Sequence, residues 1–117
     1  MPANNRFSGR CISAVCCNRK GAAKLCAGDH ELTDPLISPV YGDFKGFPPT
    51  YLVSGTRDMF LSNTVRTHRK LRMAGVEADL NVYESFSHGD YLKVIDSPES
   101  KQVYAELGAF LLEHLRK

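Results

Sequence analysis

Pro48-Pro49-Thr50-Tyr51-Leu52-Val53-Ser54-Gly55-Thr56-Arg57-Asp58 is the stretch on which the fold turns. The prolines end a loop, and Thr50 to Ser54 is β-branched, aromatic and almost continuously apolar. Such a run suits a short strand buried on both faces, as in a parallel sheet. Gly55 to Asp58 then forms a loop. A helix is expected from about Ser62 to Met73, with Phe60, Leu61, Val65, His68 and Leu71 as its inner stripe. Arg66, Arg69, Lys70 and Arg72 form its solvated side. Ser62 or Asp58 is placed to cap it, and Gly75 to stop it as a C′ residue.

Leu80, Val82 and Tyr83 mark a second strand, roughly Asp79 to Tyr83. Two strands joined by a helix of this length imply a right-handed crossover and a parallel pair. After a loop from Glu84 to Asp96, a second helix opens with Ser97 as N-cap, Pro98 at N1 and Glu99 in the first turn. Val103, Leu107, Phe110, Leu111 and His114 give it a broad apolar stripe for one sheet face, and Arg116 and Lys117 complement its dipole. The fold class is α/β, in a βαβα order.

Upstream the character changes. Residues 1–30 hold five basic residues against the single acid Asp29, whereas the remainder holds ten basic and twelve acidic residues. All four cysteines (Cys11, Cys16, Cys17, Cys26) lie in the first segment, and every proline except Pro2 lies in the second. No strand alternation or helical face persists before about Lys24. The expected organisation is a basic, poorly ordered leader over residues 1–24 and one partial domain over 25–117. A zinc site built on Cys11, Cys16, Cys17 and Cys26 or His30 suits structural zinc spacing badly, because Cys16 and Cys17 are adjacent. No metal and no cofactor is expected.

At 117 residues and 13.0 kDa the chain makes one domain at most, with 43% hydrophobic and 24% charged residues excluding wholesale disorder. A net charge of +2 gives no argument for nucleic acid. No run nears the ~18 apolar residues of a spanning helix, so no membrane is expected. Met1 to Cys11 has no apolar signal core, which predicts reduced thiols and a cytoplasmic setting.

In open α/β sheets, ligands meet the loops at the carboxyl ends of parallel strands. Asp58 lies four residues past Ser54 and His88 five past Tyr83, each in such a loop. On neighbouring strands the two would share one rim, where an Asp can hold an imidazole Nδ1 and stabilise the imidazolium. Gly55 and Gly89 suit the tight turns that would present them. The same residues also suit a plain helix cap and an ordinary His-Gly turn, so spacing alone leaves both readings open. His68 and His114 read as packed or surface residues, and His30 falls at the seam.

These residues carry a family resemblance. Asp34-Pro35-Leu36-Ile37-Ser38-Pro39, then Phe47 through Asp58, His68 through Val76, Val82-Tyr83 and Ser87-His88-Gly89-Asp90-Tyr91 resemble the C-terminal third of α/β-hydrolases of the hormone-sensitive-lipase-like esterase group. The likeness is greatest to bacterial esterases of the acetyl-hydrolase and lactone-hydrolase type, over roughly residues 25–117. It implies the C-terminal βαβα portion of an α/β-hydrolase fold, with Asp58 as triad acid and His88 as general base. The implied substrate of the complete enzyme is a small ester or lactone. Asp90 departs from the Phe usual after His-Gly, which bears on substrate preference.

That family carries its nucleophile on a G-x-S-x-G elbow ahead of the acid. No serine in this chain has glycine at both −2 and +2, and no glycine-rich oxyanion segment is present. The expectation is a truncated esterase tail on an unrelated leader, inactive alone, with no nucleophile of its own. Two parallel strands leave sheet edges open, so self-association or a complementing polypeptide is expected. The rival reading is a non-catalytic binding or interaction module.

Overall fold

The computed structural model describes residues 27–116. The leader expected over residues 1–24, with Cys11, Cys16 and Cys17, lies outside the described residues, as do Cys26 and Lys117. A 3₁₀ turn at Pro39–Tyr41 leads to β1 (Thr50–Gly55), α1 (Leu61–Met73), β2 (Ala78–Tyr83), a short α2 (Asp90–Lys93) and α3 (Pro98–Leu115). The two strands pair in parallel, with Thr50 opposite Ala78 and Gly55 opposite Tyr83. The expected parallel pair is therefore present, joined through α1, and both strands begin and end level.

Alternation along the strands sends Leu52 and Ala78 to one face and Tyr51 to the other. On the first face, Leu71 of α1 packs with Ala78, Val76, Phe44, Leu52 and Ala74 in the main apolar cluster. On the second, the Phe110 ring of α3 lies 5.4 Å from that of Tyr51. A carboxylate ties α3 to both strands: Glu106 accepts from the Tyr83 hydroxyl at 2.6 Å and the Tyr51 hydroxyl at 3.2 Å. The result is a helix–sheet–helix sandwich, one helix to a face.

Helix α1 stops as Gly75 implied. Ala74 is the C-cap, Gly75 stands at φ +77°, and the N–H groups of Gly75 and Val76 close on the carbonyls of Arg72 and Leu71. This is a Schellman motif, with Val76 and Leu71 making its apolar contact in the core. For α3, Ser97 caps through its hydroxyl, which accepts from the Ser100 N–H, and Pro98 occupies N1.

Several expectations need correction. Tyr51, Leu52 and Val53 of β1 are only half-buried. The sheet of the described residues has two strands, so β1 lacks a second neighbour to cover it. Val65 is exposed: six residues from Leu71 at about 100° each puts it about 120° away from the buried line. Leu111, one position beyond buried Phe110, is turned out in the same way. Arg66 and Lys70 are not simply solvated but lie over the Tyr41 ring, 5.0 and 5.9 Å from its centre. Neither Ser62 nor Asp58 is the N-cap of α1. That position is Phe60, whose side chain caps nothing. The loop expected over Glu84 to Asp96 contains α2, whose single turn is too short to leave a periodic signal. No helix of the described residues is long and apolar enough to cross a membrane.

Candidate active site

The carboxyl ends of β1 and β2 are stitched together beyond the ladder. The Thr56 N–H donates to the Tyr83 carbonyl at 3.0 Å, and the Arg57 N–H to the Phe86 carbonyl at 3.1 Å. The Ser85 N–H returns a bond to the Thr56 hydroxyl at 2.9 Å, with Ser85 itself at φ +63°. Gly55 packs so closely beneath Phe86 that a Cβ would fall on its carbonyl and its own Cβ. These contacts fix the two loops against each other, and each loop carries one of the residues singled out at the rim.

Asp58 closes the first loop, its N–H bonded to the Gly55 carbonyl at 3.0 Å. Its Oδ1 accepts from the Phe60 N–H at 2.8 Å and its Oδ2 from the Ser54 hydroxyl at 2.9 Å. His88 Nδ1 approaches both oxygens, at 3.2 and 3.3 Å. Because a carboxylate only accepts, Nδ1 is the protonated nitrogen in this pair, and Nε2 is left as the basic one. The Asp58 side chain is 5% exposed and that of His88 65%. The acid is thus enclosed while the imidazole reaches solvent. The Phe60 ring meets the imidazole edge-on, with centres 4.8 Å apart.

Burial alone would push the Asp58 carboxyl up. The Phe60 N–H, the Ser54 hydroxyl and the His88 imidazole outweigh it, holding the group below the ordinary aspartate value. At neutral pH Asp58 is an anion that fixes the imidazole by charge and direction.

The second loop is held from below. Asp90 Oδ2 accepts from both the N–H and the hydroxyl of Ser87, at 2.6 and 2.8 Å. Lys93 donates to the His88 carbonyl at 3.1 Å and pairs with Asp90 at 3.6 Å. Asp90, the departure from the usual Phe, therefore buckles the turn that carries His88. The Asp90 carboxyl is held below its ordinary value, chiefly by the Ser87 N–H.

Asp58 and His88 are brought together. His68 turns away to bond the Ala78 carbonyl through Nε2 at 3.1 Å, the His114 ring lies tilted against that of Phe110, and His30 pairs with Asp34. Sequence reasoning places Ser54 only at the end of the strand and misses its bond to Asp58. The available signal was a hydroxyl residue closing an apolar strand four positions before the acid. It also missed Phe60 as a wall for the imidazole. Among the described residues no group of three or more His, Cys, Asp or Glu side chains could hold a metal ion.

A cleft of about 100 Å³ opens beside the pair, lined by Val53, Ser54, Phe86, His88, Tyr91 and Leu92 among others. Small-molecule sites usually enclose roughly 300 Å³ or more, so this cleft is small for one.

Residues 14–92 match a family model described as alpha/beta hydrolase fold, a match that begins upstream of residue 25, where the motif resemblance starts. The chain is 29% identical over 90 residues to an esterase of Acinetobacter venetianus, covering 77% of this chain and 30% of that protein. Among solved structures, esterase E25 is 58% identical with a TM-score of 0.79, over 83% of this chain and 30% of that one. An esterase from the bacterial hormone-sensitive lipase family is 32% identical with a TM-score of 0.73, over 80% of this chain and 32% of that one. The chain thus spans about 30% of the length of the curated esterase and of the E25 chain. The family-model match over residues 14–92, together with the parallel strand pair and the similarity to these esterases, makes this chain a member of the alpha/beta hydrolase fold family, among its hormone-sensitive-lipase-like esterases.

Proposed function

We propose that Asp58 and His88 are the acid and general base of a serine hydrolase acting on small carboxylic esters or lactones. The observation that carries this reading is the bond from His88 Nδ1 to the enclosed Asp58 carboxylate. Nε2 would take the proton of a serine hydroxyl as that oxygen attacks the substrate carbonyl, and later return it to the leaving alcohol. Asp58 holds the tautomer and stabilises the imidazolium in between. Family membership supports ester chemistry, and the esterases matched by this chain are so described.

The 117-residue chain on its own carries out no appreciable ester turnover. Its serines all lack the glycine-flanked elbow, and the cleft beside the pair holds only about 100 Å³. Leu92, Val94 and Ile95 beside the His88 loop, and Leu112 and Leu115 on α3, are each more than half exposed. Apolar surface of this kind suits cover by further polypeptide, either a complementing chain or a second copy.

Incubation of the purified chain with a short-acyl nitrophenyl ester tests the inactivity of the isolated chain. The expected result is no His88-dependent hydrolysis. Turnover of about 1 s⁻¹, an ordinary enzyme rate, abolished by His88→Ala, would overturn that inactivity while upholding His88 as the base.

A further inference from the structure

Ser54 is a buried hydroxyl next to the last residue of β1, 3% exposed. A buried hydroxyl without a partner is costly, and here its bond goes to one acceptor, Asp58 Oδ2, at 2.9 Å. The terminal torsion of an aspartate is broad, so a carboxylate held through one oxygen can swing its plane. The Phe60 N–H takes Oδ1 and the Ser54 hydroxyl takes Oδ2. Two donors on opposite oxygens, both fixed by backbone or strand, lock the plane. The face left over is the one that His88 Nδ1 meets, 3.2 and 3.3 Å from the two oxygens.

We propose that Ser54 is a positioning residue for the acid–base pair, locking the plane of the Asp58 carboxylate so that it faces His88 Nδ1. The proposal rests on the esterase reading of Asp58 and His88 and goes one residue beyond it. Ser54 touches no reacting atom and acts through Asp58. It also lines the cleft beside the pair.

The test is NMR on the 117-residue chain, following the Asp58 carboxyl carbon and the His88 ring nitrogens through a pH titration. In Ser54→Ala the Asp58 carboxyl should titrate at higher pH, and the His88 Nδ1–H signal should broaden or vanish. Ser54→Thr, which keeps the hydroxyl, should restore both. A merely structural serine would change the melting temperature and leave the two spectroscopic signals in place. An unchanged Asp58 midpoint and an unchanged Nδ1–H signal in folded Ser54→Ala would overturn the proposal. If Ser54→Ala fails to fold, Ser54→Cys, a weaker donor of similar size, gives the same comparison, and signals identical to those of the parent would overturn it. Absence of the Nδ1–H bond in the parent chain itself would instead defeat the underlying acid–base reading.

Discussion

Gly55 and Phe86 are in such close backbone contact that no side chain fits between them. One lies at the end of β1 and the other in the loop after β2, so their contact sets the height of the acid loop against the base loop. Asp58 follows Gly55 by three residues and His88 follows Phe86 by two. Convergence of the pair is therefore a backbone property before it is a side-chain one.

Gly55→Ala should then separate the loops. The added Cβ meets backbone, which cannot swing aside as a side-chain tip can. Such overpacking costs about 3 kcal/mol. Chemical denaturation should show the loss, and the Asp58–His88 coupling should disappear even under conditions where the variant stays folded.

Asp58 also predicts an acid sensitivity. Its folded value lies below the unfolded one, so its contribution is present above the ordinary aspartate range, about pH 4, and is lost as pH falls through the folded value. Asp34, Asp90 and Glu106 are held low as well and add to the same limb. The Asp58→Asn variant isolates one share: its stability should fall less steeply below about pH 4 than that of the parent, by urea midpoints.

The strands were the most legible part of the sequence, because Thr50 to Ser54 and Leu80 to Tyr83 carry β-branched and aromatic residues between clear breakers. Ser97-Pro98 and Gly75 were read correctly for the same reason: capping chemistry is local. What failed was anything set by the third dimension. The exposure of Val65 and Leu111 depends on how wide a face each helix buries. Arg66 and Lys70 cover Tyr41 from twenty-five and more positions along the chain. At the site, spacing alone left Asp58 open between a helix cap and an acid. In the structure the carboxylate takes the Phe60 N–H, one residue before α1, and faces His88 as well. The aid from Ser54 was hidden because a serine near a strand end has no single meaning.

The Glu106 clamp gives an alkaline counterpart. Burial, then the Glu106 carboxylate, pushes the Tyr83 phenol well above the ordinary tyrosine value, and Tyr51 is raised for the same reasons. A phenol raised on folding stabilises below its unfolded value, about pH 10, and that stability is lost as pH rises further. Glu106→Gln should bring phenolate absorbance in at lower pH and weaken the alkaline loss of stability. An unchanged ultraviolet titration would refute the clamp.

At Gly75 the left-handed backbone, φ +77°, decides the outcome. Nothing crowds the position, so Gly75→Ala is a conformational test alone. It should cost about 1 kcal/mol and shift the thermal midpoint downward without altering the Asp58–His88 signals.

Grafting supplies the most direct test of the acid–base assignment. Residues 27–116 of this chain should replace the corresponding segment of esterase E25, which is 58% identical, and hydrolysis of p-nitrophenyl butyrate should be followed. The chimera is expected to turn over the ester, with His88→Ala and Asp58→Asn each lowering kcat by about 10⁴ or more. A folded, active chimera whose rate survives His88→Ala would contradict the assignment.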